Sequence, residues 1–364
     1  MGQRIDWQDV SGQGAAVRQA AEALTEGRLV AFPAESGFSL AASALVPEAV
    51  ERLAGFQNNG DRLVLAVPGA DHALDWVPGM GALGRRLARR CWPGPVTLVC
   101  GDGLDQGLAS RLLEPVRQRL CGEGKLALAV PGHDALWHTM LSVPCPLLLA
   151  GTSSRGADLA QTAGDQLALV IDDGADRSGP HATVVQVEGK SWKLLHEGAI
   201  PRDDVELQTT CLVLFVCTGN TCRSPMAAGL CIKLLADQLG CTPAELPRHG
   251  YLVLSAGVAA GRGERAAPEA IEAVQQLGGA DLGGHESQPL TEDLVFQADH
   301  LIAMTRGHLL AVAVRFGNQG RTRLLCPEGG DVADPVGADQ QVYRECARQI
   351  LGHLEKLVPE LTRE

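Results

Sequence analysis

The chain has no apolar stretch long enough to span a bilayer, and its first residues, Met1-Gly2-Gln3-Arg4-Ile5-Asp6-Trp7, hold no signal-peptide core. A cytoplasmic protein is expected. No two cysteines stand at C-x-x-C spacing, and the eleven cysteines are odd in number and irregularly placed, which argues against a disulfide framework and against a zinc site. They suit a reducing compartment, and no metal or cofactor is expected. A basic surplus is lacking too: the net charge is −12, and neither half of the chain carries the excess of Lys and Arg that nucleic-acid binding requires. What remains is the composition of an ordinary globular protein, 45% hydrophobic and 20% charged, over 364 residues that suffice for two or three domains.

Along the chain, helical and extended patterns alternate, which implies α/β layers. Residues 13–26 read as a helix, residues 29–32 as a strand entering Pro33-Ala34-Glu35-Ser36-Gly37-Phe38, and residues 47–54 as a helix. Further strands are expected at 63–67, 96–100, 126–130, 147–150, 168–171, 182–187 and 192–195. Residues 201–210 are polar and charged between apolar runs, so the boundary is expected there, with one domain over 1–203 and a second over 210–364. The second holds four strand and helix units, 211–239, 250–277, 299–316 and 321–357. Such a series predicts a small doubly wound four-stranded parallel sheet with its ligand at the C-terminal strand ends.

One stretch carries chemistry. The apolar run Cys211-Leu212-Val213-Leu214-Phe215-Val216 leads into Cys217-Thr218-Gly219-Asn220-Thr221-Cys222-Arg223-Ser224-Pro225 and then Met226-Ala227-Ala228-Gly229-Leu230. This reads as a buried strand, a tight loop and a helix capped by Ser224 with Pro225 at its first position. Backbone N–H groups of such a loop can curl around one oxyanion, helped by the helix dipole, while Arg223 offers a planar fork to two phosphate oxygens. A thiol aimed into that cradle is expected to act as a thiolate nucleophile. Asn220 and Ser224 read as loop supports, Ser224 by donating to the sulfur. Cys222 is placed either to condense with an oxidised Cys217 or merely to fill the loop.

The spacing C-x-x-x-x-x-R-S, with Gly219-Asn220 inside it and Pro225 after it, resembles the low-molecular-weight protein tyrosine phosphatase family. Ser255-Ala256-Gly257, the run Ala298-Asp299-His300-Leu301-Ile302-Ala303-Met304 and Asp334-Pro335 extend the resemblance through the second half. It implies Cys217 as nucleophile, Arg223 and residues 218–224 as the phosphate cradle, and Asp334 as general acid and then general base. Asp331 is the local competitor for that role, with a turn residue as its plainer reading. The string with Thr221 resembles the protein-arginine phosphatase branch: many relatives carry Ile before the second loop Cys and aromatic residues after D-P, where this chain has Thr221 and Val336-Gly337. A polar residue and no aromatic wall favour a phosphorylated guanidinium over a phosphotyrosine ring, so phosphorylated protein is the expected partner and Thr221 the expected specificity residue. Arsenate reduction would need two further thiols in relay; Cys326 and Cys346 form no close pair in the sequence. His285, His300 and His308 read as surface or packing residues.

The first half resembles the threonylcarbamoyl-AMP synthase (YrdC-like) family over about residues 13–200. Ala31-Phe32-Pro33-Ala34-Glu35-Ser36, Cys91-Trp92-Pro93-Gly94-Pro95-Val96-Thr97-Leu98, Thr183-Val184-Val185 and Leu194-Leu195-His196-Glu197-Gly198-Ala199-Ile200 carry it. The family's basic residues align with Gly55-Phe56-Gln57, Ala129 and His196, its Thr with Ala34, and its S-A-N with Thr152-Ser153-Ser154; Asn58, Asn59 and Arg62 do not restore the spacing. A triphosphate and a carboxylate need cations, so a degenerate scaffold or adaptor is expected, with synthase activity and a nucleotide or tRNA-related ligand as the alternative. Arg85-Arg86-Leu87-Ala88-Arg89-Arg90 reads as one solvated helix face.

Overall fold

The computed structural model describes residues 3–57, 62–152, 159, 166–175, 179–317, 320–328 and 330–363. Two units divide the chain, Met1–Gln208 and Thr209–Glu364. Among the described residues no helix is long and apolar enough to cross a membrane.

The first unit is built on a ten-stranded mixed sheet: β1 Gln3–Asp6, β2 Leu29–Pro33, β3 Phe38–Ser43, β4 Val64–Ala66, β5 Val96–Cys100, β6 Leu126–Ala129, β7 Leu147–Thr152, β8 Leu167–Asp172, β9 Thr183–Glu188 and β10 Ser191–His196. Their order is β1-β8-β2-β3-β7-β4-β6-β5-β9-β10. Every residue of β2 is buried, and successive side chains enter opposite cores: Leu29 and Ala31 pack with Leu53 and Leu87, whereas Val30 and Phe32 pack with Ala20, Leu24 and Leu136. Helices Gln13–Thr25 and Pro47–Ala54 are those the periodicity predicts. Strands β1 and β3 are not foreseen by it.

The run of four arginines lies on helix Ala82–Cys91, but it is not one solvated face. Arg86 is 8% exposed, Arg85 donates to the Met80 carbonyl at 2.7 Å, and Arg90 donates to the Gln208 carbonyl at 2.9 Å. The stripe tucks in because Leu83, Leu87 and Ala88 turn the helix onto the core, carrying the neighbouring guanidinium stems with them. The polar connector expected at 201–210 is also structured, as helix Arg202–Thr209 with Val205 as its buried side chain.

In the second unit, β11 Cys211–Cys217, β12 Tyr251–Gly257, β13 His300–Ala303 and β14 Thr322–Leu324 form a separate sheet in the order β12-β11-β13-β14. All three pairings are parallel. Strand β11 is buried on both faces: Val213, Phe215 and Cys217 enter one core with Met226, Leu230 and Ile350, while Leu212, Leu214 and Val216 enter the other with Leu290 and Val312. Because β12 and β13 flank β11 on opposite sides, the chain reverses its winding direction at the C-terminal end of β11. An open α/β sheet has its ligand crevice at such a point, and Cys217 stands there.

Candidate functional site

From Cys217 the backbone turns through residues 218–222 into helix Arg223–Leu239. Asn220 sits at φ 58°, the left-handed conformation Asn tolerates, and this bends the loop back over the sulfur. The Asn220 N–H points at Cys217 Sγ at 3.3 Å. The Asn220 amide locks that bend from inside: Oδ1 accepts from the Gln288 N–H at 2.9 Å, which fixes Nδ2 as the donor to Ser224 Oγ at 2.9 Å and Ser255 Oγ at 2.8 Å. Ser224 Oγ in turn stands 3.0 Å from Cys217 Sγ and 3.4 Å from the Ala256 carbonyl oxygen.

Ser224 is therefore not the helix cap that its place before Pro225 suggests. The helix begins two residues earlier, with Cys222 at the cap position and no side chain bonded to the first-turn N–H groups. Those donors stay open to an anion, because the hydroxyl that would cap them is turned towards the thiol.

Close packing holds the loop from outside. The Gly257 carbonyl accepts from Leu290, and a Cβ built on Gly257 would stand 2.4 Å from the Thr218 carbonyl oxygen and 3.0 Å from the Asn220 nitrogen. The Ala259 N–H donates to the Thr218 carbonyl at 3.0 Å and the Ala267 N–H to the Thr221 carbonyl at 2.9 Å. The expected oxyanion residues, Thr218, Gly219, Asn220, Thr221, Cys222, Arg223 and Ser224, thus form one short anchored arc. Thr221 is half-buried, with Oγ1 3.6 Å from Cys222 Sγ, and Cys222 in turn meets the Tyr343 hydroxyl at 3.3 Å.

Arg223 and Asp334 meet across 111 residues. Arg223 Nη2 donates to Asp334 Oδ2 at 2.5 Å and Nη1 to the Val332 carbonyl at 3.3 Å. The Arg223 side chain is 7% exposed, against 45% for Asp334. A carboxylate reachable from solvent therefore sits on a buried guanidinium at the rim of the cradle. Asp331, the competitor, is spoken for: Oδ1 accepts from the Arg306 N–H at 2.8 Å, at the start of helix Arg306–Phe316.

Two histidines read from the sequence as surface or packing residues touch the loop. His285 Nε2 lies 2.7 Å from the Asn220 carbonyl oxygen, and His308 Nε2 lies 2.9 Å from Thr218 Oγ1. Burial first, and then the charge of Arg223, lower His308 to about 4, so its ring is neutral through the physiological range. The usable signal in the sequence is Thr305-x-x-His308, the spacing of a helix cap and its third residue; the Thr305 hydroxyl does accept from the His308 N–H. His300 is buried in β13 away from this contact set. Cys326 and Cys346 make no relay with each other: Cys326 Sγ is 2.6 Å from His353 Nε2, and Cys346 Sγ is 3.6 Å from the Ala333 carbonyl.

In the first unit, a cavity of about 490 Å³ is lined by Glu35, Ser36, Gln57, Arg62, His181 and His196, among others. Ser36 Oγ is 3.1 Å from His181 Nδ1, and Glu35 accepts from the Gly132 N–H at 3.1 Å. Arg62 turns to Glu123 at 2.6 Å and the Gly122 carbonyl at 3.2 Å. Asn58, Asn59, Ser153 and Ser154 lie outside the described residues.

The second unit is thus a small parallel sheet with a Cys-headed loop and a helix N-terminus at its switch point, and comparison with known proteins gives its family. By residues 212–364, which match the family described as low molecular weight phosphotyrosine protein phosphatase, the chain belongs to that family. Residues 22–198 match the family described as Telomere recombination. A protein-arginine-phosphatase of Bacillus subtilis is 36% identical over 157 residues, 42% of this chain and 97% of that protein. A low molecular weight protein-tyrosine-phosphatase of Staphylococcus haemolyticus is 31% identical, over 40% of this chain and 96% of its own length. For the first unit, a threonylcarbamoyl-AMP synthase of Pyrococcus abyssi is 27% identical over 52% of this chain and 56% of that protein.

Proposed function

We propose that the second unit is a protein phosphatase that removes phosphate from arginine side chains through a phosphocysteine. The Cys217 thiolate attacks phosphorus in line, and the phosphorus–nitrogen bond breaks as Asp334 delivers its proton to the departing guanidinium nitrogen. Water then attacks the cysteinyl phosphate, with the Asp334 carboxylate taking a proton, and inorganic phosphate leaves. The observation that carries this reading is the Arg223–Asp334 pair at the rim of the Cys217 loop, which supplies an anion-binding fork and a proton carrier beside one nucleophile. An incoming phosphoryl dianion takes over the Arg223 fork and releases Asp334 to the leaving group.

Arginine is favoured over tyrosine by Thr221, by Val336 and Gly337 where a ring-stacking wall would be needed, and by the resemblance to a protein-arginine-phosphatase. The test compares phosphoarginine and phosphotyrosine peptides with the wild type, Cys217→Ser and Thr221→Ile. Cys217→Ser abolishes turnover, and Thr221→Ile moves the preference towards tyrosine; an unchanged ratio removes the substrate assignment.

For the first unit we propose a degenerate ligand-binding or adaptor domain. Support comes from Gln57 and His196 lining the cavity at positions where the resembling family has basic residues, and from Arg62 being engaged by Glu123. Calorimetric titration with ATP and threonine tests this. Tight binding of both, with pyrophosphate released on adding bicarbonate, restores the synthase reading.

A further inference from the structure

Both ring nitrogens of His308 are engaged, Nδ1 with Thr305 Oγ1 at 3.0 Å and Nε2 with Thr218 Oγ1 at 2.9 Å. His308 is 6% exposed, and the charges of Arg223, Asp334 and Asp331 act on its ring. Thr305 Oγ1 also accepts the His308 N–H at 3.2 Å, which holds that hydroxyl beside Nδ1. In the tautomer with its proton on Nε2, the ring donates to Thr218 Oγ1 and leaves the Thr218 hydroxyl hydrogen unspent. Thr218 is an exposed residue, the first after the nucleophile, and its carbonyl is pinned by the Ala259 N–H at 3.0 Å. Held by the carbonyl on one side and the hydroxyl on the other, Thr218 has a fixed orientation.

We propose that His308 carries its ring proton on Nε2 and is a positioning residue for phosphoryl transfer, acting through Thr218: it holds the first residue of the cradle and leaves the Thr218 hydroxyl as a donor at the cradle rim. A donor fixed in advance gains most as charge builds on the transferring phosphoryl oxygens, so its loss falls on kcat more than on KM. The proposal rests on the phosphatase reading but not on the choice of arginine, so it is measured with p-nitrophenyl phosphate, whose turnover is independent of which side chain is the natural substrate.

The experiment is a double-mutant cycle on the full chain with Thr218→Val, His308→Leu and both, alongside His308→Gln, which keeps an amide donor near the position of Nε2. Each single change is expected to lower kcat about tenfold with KM moved less than about threefold, the worth of one hydrogen bond gained in the transition state. The double variant is expected to lose no more than either single one, and His308→Gln to recover to within about threefold of wild type, since the two residues act as one unit. Additive losses of about a hundredfold overturn the proposal, as does a His308→Gln variant no better than His308→Leu. A thermal midpoint that falls in His308→Leu while kcat stays at the wild-type value overturns it as well, because it marks a purely structural role.

Discussion

Replacing Gly257 by Ala isolates the claim that the loop after Cys217 must be held in one shape. Gly257 is not among the residues with positive φ, so alanine meets no backbone penalty, and the added carbon acts only through the space it needs. That space is taken: the Cβ would lie 2.4 Å from the Thr218 carbonyl oxygen, 2.7 Å from Ala260 Cβ and 3.0 Å from the Asn220 nitrogen. Two of the three are loop backbone and neither can yield freely, since the Thr218 carbonyl is bonded to Ala259 and Asn220 is bonded to Gln288. Overpacking of this kind costs about 1–3 kcal/mol, which lowers the midpoint of a domain this size by roughly 3–9 °C. The larger effect is catalytic, because moving the Asn220 N–H by a fraction of an ångström misaligns a donor aimed at the reacting sulfur; a loss of about a hundredfold in kcat is expected. Turnover of p-nitrophenyl phosphate, with circular dichroism to confirm folding, measures both. A folded Gly257→Ala protein with kcat within about threefold of wild type refutes the argument that contact with β12 shapes the cradle.

Asp334→Asn, which removes the proposed acid while keeping its shape, is expected to cost about a hundredfold to ten-thousandfold in kcat/KM, the measure of the first step, on a phosphoarginine peptide and much less in kcat/KM on p-nitrophenyl phosphate, whose leaving group needs no proton. Equal losses on both substrates would show that Asp334 serves only to hold Arg223. Iodoacetate at neutral pH is expected to label Cys217 before the other cysteines, and inorganic phosphate to protect it; Cys100 and Cys346, both pushed up to about 12 chiefly by burial, are expected to stay unlabelled while the protein is folded. Peptide mapping reads this out. Folding stability carries a signature of His308, lowered from 6.5 to about 4. Below 6.5 the unfolded chain binds a proton that the folded ring refuses, so this residue subtracts stability as the pH falls from about 6.5 and stops doing so below about 4. Urea titrations across that window should show a shallower acid-side decline in His308→Gln than in the wild type, and parallel curves would contradict it.

The course of the loop within 211–225 could be read from the chain because its parts are contiguous: strand, thiol, left-handed Asn and arginine follow in series, and local sequence dictates local geometry there. Asp334 is a different case. Nothing in the spacing says that a residue 111 positions from Arg223 returns to it; only the likeness of Asp334-Pro335 to a known motif suggested it, and the ion pair follows from the path of the loop after β14. Pairings such as Thr218 with His308, or Asn220 with His285, stayed hidden for the same reason: each joins a loop to a side chain on a distant segment, and burial of an imidazole leaves no periodic trace. The misplaced helix cap has a local cause, since Ser224 has the residue type of a cap but its hydroxyl is held by Asn220. Strand β3, Phe38–Ser43, went unread because Ala and Ser carry little β preference and its extension is imposed by β2 and β7 on either side. Short β1 is mostly exposed and polar, paired along one edge with β8. The arginine stripe on Ala82–Cys91 misled for a converse reason: charge predicts exposure of the head group and says little about the stem.

Rapid acid quench of the enzyme turning over a phosphoarginine peptide, followed by peptide mapping under conditions that preserve thiophosphate esters, tests the central claim most directly. The account predicts phosphate on the peptide containing Cys217, accumulating in Asp334→Asn with an activated phenyl phosphate, where the first step proceeds and the water-consuming second step is slowed. Phosphate that never resides on Cys217, with hydrolysis continuing in Cys217→Ser, would contradict it.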